Sequence, residues 1–249
     1  MRHTFSGIGT LIATSEDVGQ NPQPGELVST AFFAGSYFDF EIPRGPFRST
    51  HDWLASYLQI VIADRTTAKS EAETEDEADA EFALGLTRQL ISLVPKIFLS
   101  LANPAERSVI VHHDLSLSNI LANDQGEITA IVDWECVSAM PLWMATEMPK
   151  FLDLSTRDKE PQRTSYGDES DTEEQNDDDD ALDNEGKNEL YWIHLMEYET
   201  TQLRRVYNTS MRQMNPGWNM QVEDSAFKQD FVPAALLCGD VFYPKQVAK

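Results

Sequence analysis

The sequence is short of cysteine, of basic residues and of long apolar runs, and each shortage excludes something. Its two cysteines, Cys136 and Cys238, are too few for a disulfide framework, and neither has a His or Cys partner at zinc spacing. Reduced, buried thiols are expected. No apolar stretch approaches the ~20 residues that cross a bilayer. The N-terminus, MRHTFSGIGTLIATSED, has no signal-peptide core, so a cytoplasmic chain without membrane contact is expected. Nineteen lysines and arginines face 42 aspartates and glutamates, a formal net charge of -23, which argues against a nucleic-acid partner held on a basic face.

The acid excess is local. Residues 69–81 hold seven acids and one Lys, and residues 168–189 hold twelve acids and one Lys. The remainder has 23 acids against 17 bases, the balance of an ordinary, mildly acidic globular protein. A chain of 249 residues is long enough to bury a core, in one domain or two.

A glycine-rich phosphate loop is also missing. Gly7-Ile8-Gly9 invites that reading, but no strand is expected before it, and Ile12 stands where a third glycine would be needed. The only lysines before Asp114 are Lys69, in the first acidic run, and Lys96, near a helix end. Neither lies in a Val-Ala-x-Lys strand.

What the chain does have is the stretch VIVHHDLSLSNILANDQGEITAIVDWE, residues 109–135. It reads strand, loop, strand, turn, strand. The β-branched run Val109 to Val111 is broken by His112 to Ser118, resumes at Ile120 and Leu121, turns at Asn123 to Gly126, and runs again from Ile128 to Val132. Two strands joined by a tight turn bring the ends carrying Asn119 and Asp133 side by side, where two oxygen ligands could share one cation.

The spacing His112-x-Asp114-x-x-x-x-Asn119, with Asp133 fourteen residues later, resembles the catalytic loop and metal-binding Asp of the protein-kinase-like superfamily. It is closest to the aminoglycoside phosphotransferase and choline kinase branch, whose Asp-x-Asp or Asp-x-Glu element matches Asp133-Trp134-Glu135. The run on through Cys136 to PLWMATEMPKFL is similar to fungal proteins with an aminoglycoside phosphotransferase domain. The resemblance covers roughly residues 5–155.

That resemblance implies an α+β fold: a mainly helical kinase-like C-lobe with a small β-hairpin carrying the catalytic loop. FSGIGTLI, the Pro43-Arg44-Gly45-Pro46-Phe47 turn and the helix at Trp53 resemble segments that follow the hinge. On this reading the N-lobe is missing, with its phosphate-pairing Lys and adenine-binding hinge. The implied chemistry is phosphoryl transfer from ATP to a small-molecule hydroxyl, with Asp114 as base, His112 bracing the loop, and Asn119 and Asp133 holding Mg²⁺ and through it the nucleotide. The alternative is an inactive truncated C-lobe acting as a binding module or gene fragment. A metal-dependent hydrolase on the same residues is the weaker reading, because two-metal hydrolases usually assemble more carboxylates and histidines.

Three regions are expected. Residues 1–156 form the lobe core, 157–189 a disordered acidic insertion with too few apolar groups to offset ordering entropy, and 190–249 the last helices. Ser49 or Thr50 caps a helix whose Trp53, Leu54, Tyr57, Leu58, Val61 and Ile62 share a face. The acidic run 69–81 is expected to be a flexible insertion or a frayed helix start. Phe82, Leu86, Leu90, Leu93, Val94, Ile97 and Leu101 mark a second helix, bent or ended by Pro95. Trp143 reads as core. A helix from Leu190 to Tyr207 is expected to turn Glu197, Glu199, Arg204 and Arg205 to solvent, and another runs from Asp224 to Leu237 with a break near Pro233. A C-lobe without its partner exposes its cleft face, so marginal stability or self-association is expected. The substrate is a small molecule that no residue identifies.

Overall fold

A computed structural model describes residues 4–12, 22–71, 74–100, 104–135, 137–166 and 189–240, with backbone alone at 71 and 74–76. Cys136, Leu101 and most of the acidic stretch 157–189 lie outside the described residues. The fold is α+β, as the motifs implied. It divides into two compact units: Met1–His113 with Asp133–Glu147 and Met220–Lys249, and Asp114–Val132 with Met148–Asn219.

The first unit contains an antiparallel five-stranded sheet absent from the expected hairpin-only plan. Its strands are β1 (Phe5–Ser6), β2 (Gly9–Ile12), β3 (Gln23–Pro24), β4 (Arg107–Val111) and β7 (Ser138–Pro141), in the order β1-β4-β7-β2-β3. The first forty residues are therefore more than loop, though each piece is short. A strand does precede Gly7, contrary to expectation. The glycines there serve close packing rather than a phosphate: a Cβ on Gly9 would stand 2.0 Å from the Gly25 carbonyl oxygen. Central β7 is buried throughout, and it pairs with β4 so that Val111 faces Ser138. The whole stretch 112–137 thus leaves and rejoins the sheet at one strand pair.

Helices cover this sheet's unit. Short α1 (Thr30–Phe33) precedes the long pair α2 (Thr50–Glu71) and α3 (Thr74–Ile97), which pack against each other. Ser49 caps α2 as expected, its Oγ accepting the Asp52 N–H at 3.2 Å. A second acceptor comes from far away in sequence: Glu106 Oε2 takes the Thr50 N–H at 2.6 Å and the Thr50 hydroxyl at 2.9 Å. Trp143 is core, as expected, and its Nε1 donates to Thr50 Oγ1 at 3.2 Å.

Burial along α2 is wider than one stripe. Trp53, Leu54, Tyr57, Leu58 and Val61 are buried as predicted, but Ile60 is also fully buried while Ile62 is only partly so. Each such side chain removed from water stabilises the fold by roughly 1.5–3 kcal/mol. In α3 the predicted stripe is shifted. Ala83, Leu84, Thr87, Leu90 and Val94 face inward, whereas Phe82 and Leu93 are 44% and 39% exposed. Small residues let α3 approach closely, a criterion that a search for large apolar residues misses. The acidic run 69–81 is helical wherever it is described, with Lys69 paired to Glu81. Pro95 neither ends nor divides α3, because it lies in the last turn and only one backbone bond is forfeited.

Helix α5 (Trp218–Leu236) begins earlier than predicted and runs through Pro233 without a break. Phe231, Val232 and Ala235 join the core, and Tyr57 OH donates to the Leu236 carbonyl at 2.6 Å. Cys238 is a buried free thiol beside Thr87, as expected.

The second unit holds the hairpin β5 (Ile120–Ala122) and β6 (Ile128–Ile131), together with α4 (Glu189–Met214) and the segment before residue 167. Helix α4 extends a further seven residues beyond the predicted Tyr207. Of its expected solvated face, Glu199 and Arg205 are exposed, whereas Glu197 and Arg204 are partly buried and form a clamp. Arg204 donates to the Leu152 carbonyl from Nε and Nη2, at 2.9 and 2.5 Å, and to the Leu154 carbonyl at 2.6 Å. Glu197 accepts from Arg157 at 3.0 Å, while Arg205, exposed, pairs at the surface with Asp158 at 2.7 Å. Conversely Leu203 and Val206 are 52% and 62% exposed. Within the acidic stretch, residues 157–166 are held in place, with Pro161 buried and Tyr166 OH 2.6 Å from His194 Nδ1.

Candidate functional site

The hairpin forms because its turn is chemically specified. Asn123 Oδ1 accepts the Gln125 and Glu127 N–H groups at 3.1 and 2.9 Å, and Gly126 takes a positive φ of 78° that a side chain would resist. Ile120 then pairs with Ile131, and the Val132 N–H donates to the Asn119 carbonyl at 3.0 Å. The predicted juxtaposition therefore holds for the backbones of Asn119 and Val132, one residue short of Asp133.

Ahead of the hairpin, a 3-10 turn at Leu117–Asn119 folds the chain back toward Asp114. Asn119 Nδ2 donates to the Asp114 carbonyl at 2.8 Å and lies 3.3 Å from Asp114 Oδ2. With its nitrogen committed to Asp114, the Asn119 amide has Oδ1 as its hard oxygen acceptor. Asp114 is exposed, and its Oδ1 stands 3.8 Å from Lys150 Nζ. Sequence reasoning missed Lys150. Its only signal was to be the one cation in the PKFL segment, which nothing local ties to Asp114.

The first unit holds the other two motif residues. His112, directly after β4, meets Trp134, just before β7, with ring centroids 4.9 Å apart and planes at 67°. The β4–β7 pair brings them together. Asp133 adopts φ 62°, the only described non-glycine residue with positive φ. Such a conformation costs of order 1–3 kcal/mol and tends to mark functional positions. Among the described residues, no group of three or more His, Cys, Asp or Glu could hold a metal by itself. A pair of oxygen ligands suits Mg²⁺, which keeps several waters and takes substrate phosphate oxygens.

The fold is α+β, with an Asp–Asn pair locked in a loop between a strand and a hairpin. Residues 23–144, just under half of the chain, match the family model of the phosphotransferase enzyme family. The kinase-like resemblance read from His112, Asp114, Asn119 and Asp133 is thus borne out at the level of the family. The chain is similar to the clavilactone A biosynthesis cluster protein Y of Ampulloclitocybe clavipes, 32% identical over 103 residues. That match covers 41% of this chain and 25% of the relative's length. No solved structure matches. Among the described residues, no helix is long and apolar enough to cross a membrane.

Proposed function

We propose that this protein transfers the γ-phosphoryl group of ATP to a hydroxyl of a small molecule. The observation that carries the reading is the Asn119 side-chain bond to Asp114, which fixes a carboxylate and a hard oxygen in one tight loop. Asp114 orients the attacking hydroxyl and takes its proton. His112 braces the loop through Trp134. By the family resemblance Asn119 and Asp133 would hold Mg²⁺, which when bound would neutralise phosphate charge. A reaction that consumes ATP, and a buried reduced thiol at Cys238, both fit the cytoplasm. The test is calorimetric titration with Mg²⁺-ATP beside an Asp133→Ala variant. Binding lost in the variant supports the reading; no heat at millimolar nucleotide from folded protein overturns it.

A second reading, an inactive kinase-like lobe serving as a binding module, is favoured by one observation. The two-stranded hairpin exposes Leu121 and Ile128, at 46% and 69%, and Leu117 beside it at 62%. Two strands alone are marginal in water, and an apolar surface of this kind gains from a cover such as a second copy of the chain. Sedimentation of the protein and of a Leu121→Lys, Ile128→Lys variant tests it. Self-association abolished by the lysines supports this face, and a monomer at all concentrations rules it out.

A further inference from the structure

We infer that Lys150 is a catalytic cation that contacts the transferred phosphoryl group, an assignment that rests on the phosphoryl-transfer reading above. Lys150 Nζ lies 3.8 Å from Asp114 Oδ1, and the two side chains are 74% and 65% exposed. An exposed pair at that separation contributes little to stability, so holding the fold together is a poor account of its placement. The backbone that presents it is, by contrast, firmly built. Lys150 opens the 3-10 turn Lys150–Leu152, in which Leu152 is 3% exposed, and Arg204 grips the Leu152 and Leu154 carbonyls. A buried anchor and a three-bond clamp therefore position a long, flexible ammonium beside the carboxylate of the attacking-group site.

Charge supplies the reason. A phosphoryl group in flight spreads negative charge over three oxygens, and an aspartate beside it is repulsive unless a cation intervenes. The lysines that precede Asp114 sit on helices: Lys69 in α2, paired to Glu81 at 2.5 Å, and Lys96 in the last turn of α3. Lys150 has both the charge and the reach. In the step, the substrate oxygen forms a bond to the γ-phosphorus while the bond from that phosphorus to the bridging oxygen breaks, its electron pair leaving with the nucleoside diphosphate. The hydroxyl proton passes to Asp114. Lys150 donates N–H bonds to the phosphoryl oxygens.

The test uses the whole chain and an acyl phosphate of ATP with Mg²⁺, a reagent that acylates a lysine amine within reach of the terminal phosphate and releases ATP. Peptide mass spectrometry then locates the label. Phosphate release from Mg²⁺-ATP with water as acceptor is measured alongside, for the wild type and for Lys150→Met, Lys150→Arg and, as a control, Lys159→Met. The expected result is a label on Lys150 that excess Mg²⁺-ATP prevents, with release lowered at least ~10-fold in Lys150→Met, partly restored in Lys150→Arg and unchanged in the control. Phosphate release with the label elsewhere, or at wild-type rate in Lys150→Met, overturns the Lys150 assignment alone. Neither label nor release from folded wild type overturns it together with the phosphoryl-transfer reading.

Discussion

His112 meets Trp134 edge to face, with ring centroids 4.9 Å apart, although twenty-one residues separate them along the chain. The contact ties the residue that leaves β4 to one that leads back into β7. Trp134→Ala should cost about 0.5–1.5 kcal/mol beyond its lost burial, the usual worth of an aromatic pair, and Trp134→Phe should recover most of it. Urea denaturation of the three proteins gives the comparison. Equal midpoints would show that the ring contact contributes nothing.

The start of α2 depends on two acceptors of different origin. Ser49→Ala removes the local cap and should cost about 1 kcal/mol. Glu106→Ala leaves the buried Thr50 N–H and hydroxyl without their acceptor and should cost more, about 1–3 kcal/mol. Glu106→Gln, which keeps an acceptor oxygen, should fall between the alanine variant and wild type in the same denaturation experiment.

Arg204 is a structural clamp on the turn that carries Lys150. Arg204→Ala should destabilise by about 2 kcal/mol, because bonds from a charged donor to partly buried carbonyls are lost. Lysine should not rescue it, since an ammonium lacks the planar fork that reaches both carbonyls. Amide hydrogen exchange should rise at residues 150–158 in both variants, and unchanged protection there would count against the clamp.

Alkaline pH should destabilise the first unit. Burial pushes the Cys238 thiol and the Tyr37 and Tyr57 phenols up from their ordinary values, and Asp64 adds to the effect at Tyr37. All three are acids that the folded state keeps protonated. The unfolded chain releases these protons from roughly pH 8.5 for the thiol and pH 10 for the phenols. Their contribution is therefore complete below those values and is lost as pH rises through them toward the folded-state pKa values. The urea midpoint should hold between pH 7 and 8 and fall steadily between pH 9 and 11. A flat profile would mean that these groups are not desolvated.

Local chemistry made several elements legible. The Asn123–Gly126 turn, the Ser49 cap and the hairpin around them rest on hydrogen bonds spanning a few residues, and the structure contains all three. The motif spacing likewise pointed, without any structure, to the family whose model matches residues 23–144. Misreadings occurred where an apolar periodicity had to be assigned a face. In α3 alanines and Thr87 pack inward while Phe82 and Leu93 stay out, and in α4 Glu197 bonds Arg157 and Arg204 bonds the Leu152 carbonyl while Leu203 and Val206 are exposed.

The sequence by itself determined the loop, the hairpin and the candidate residues Asp114, Asn119, Asp133 and His112, because residue type and short spacing suffice for turns and motif matches. Only the tertiary structure decided the five-stranded sheet, the Glu106 acceptor for Thr50, the Arg204 clamp and the approach of Lys150 to Asp114. Each of those joins residues separated by dozens of positions. Which distant groups meet is fixed by how whole elements pack, and neither local propensity nor periodicity carries that information.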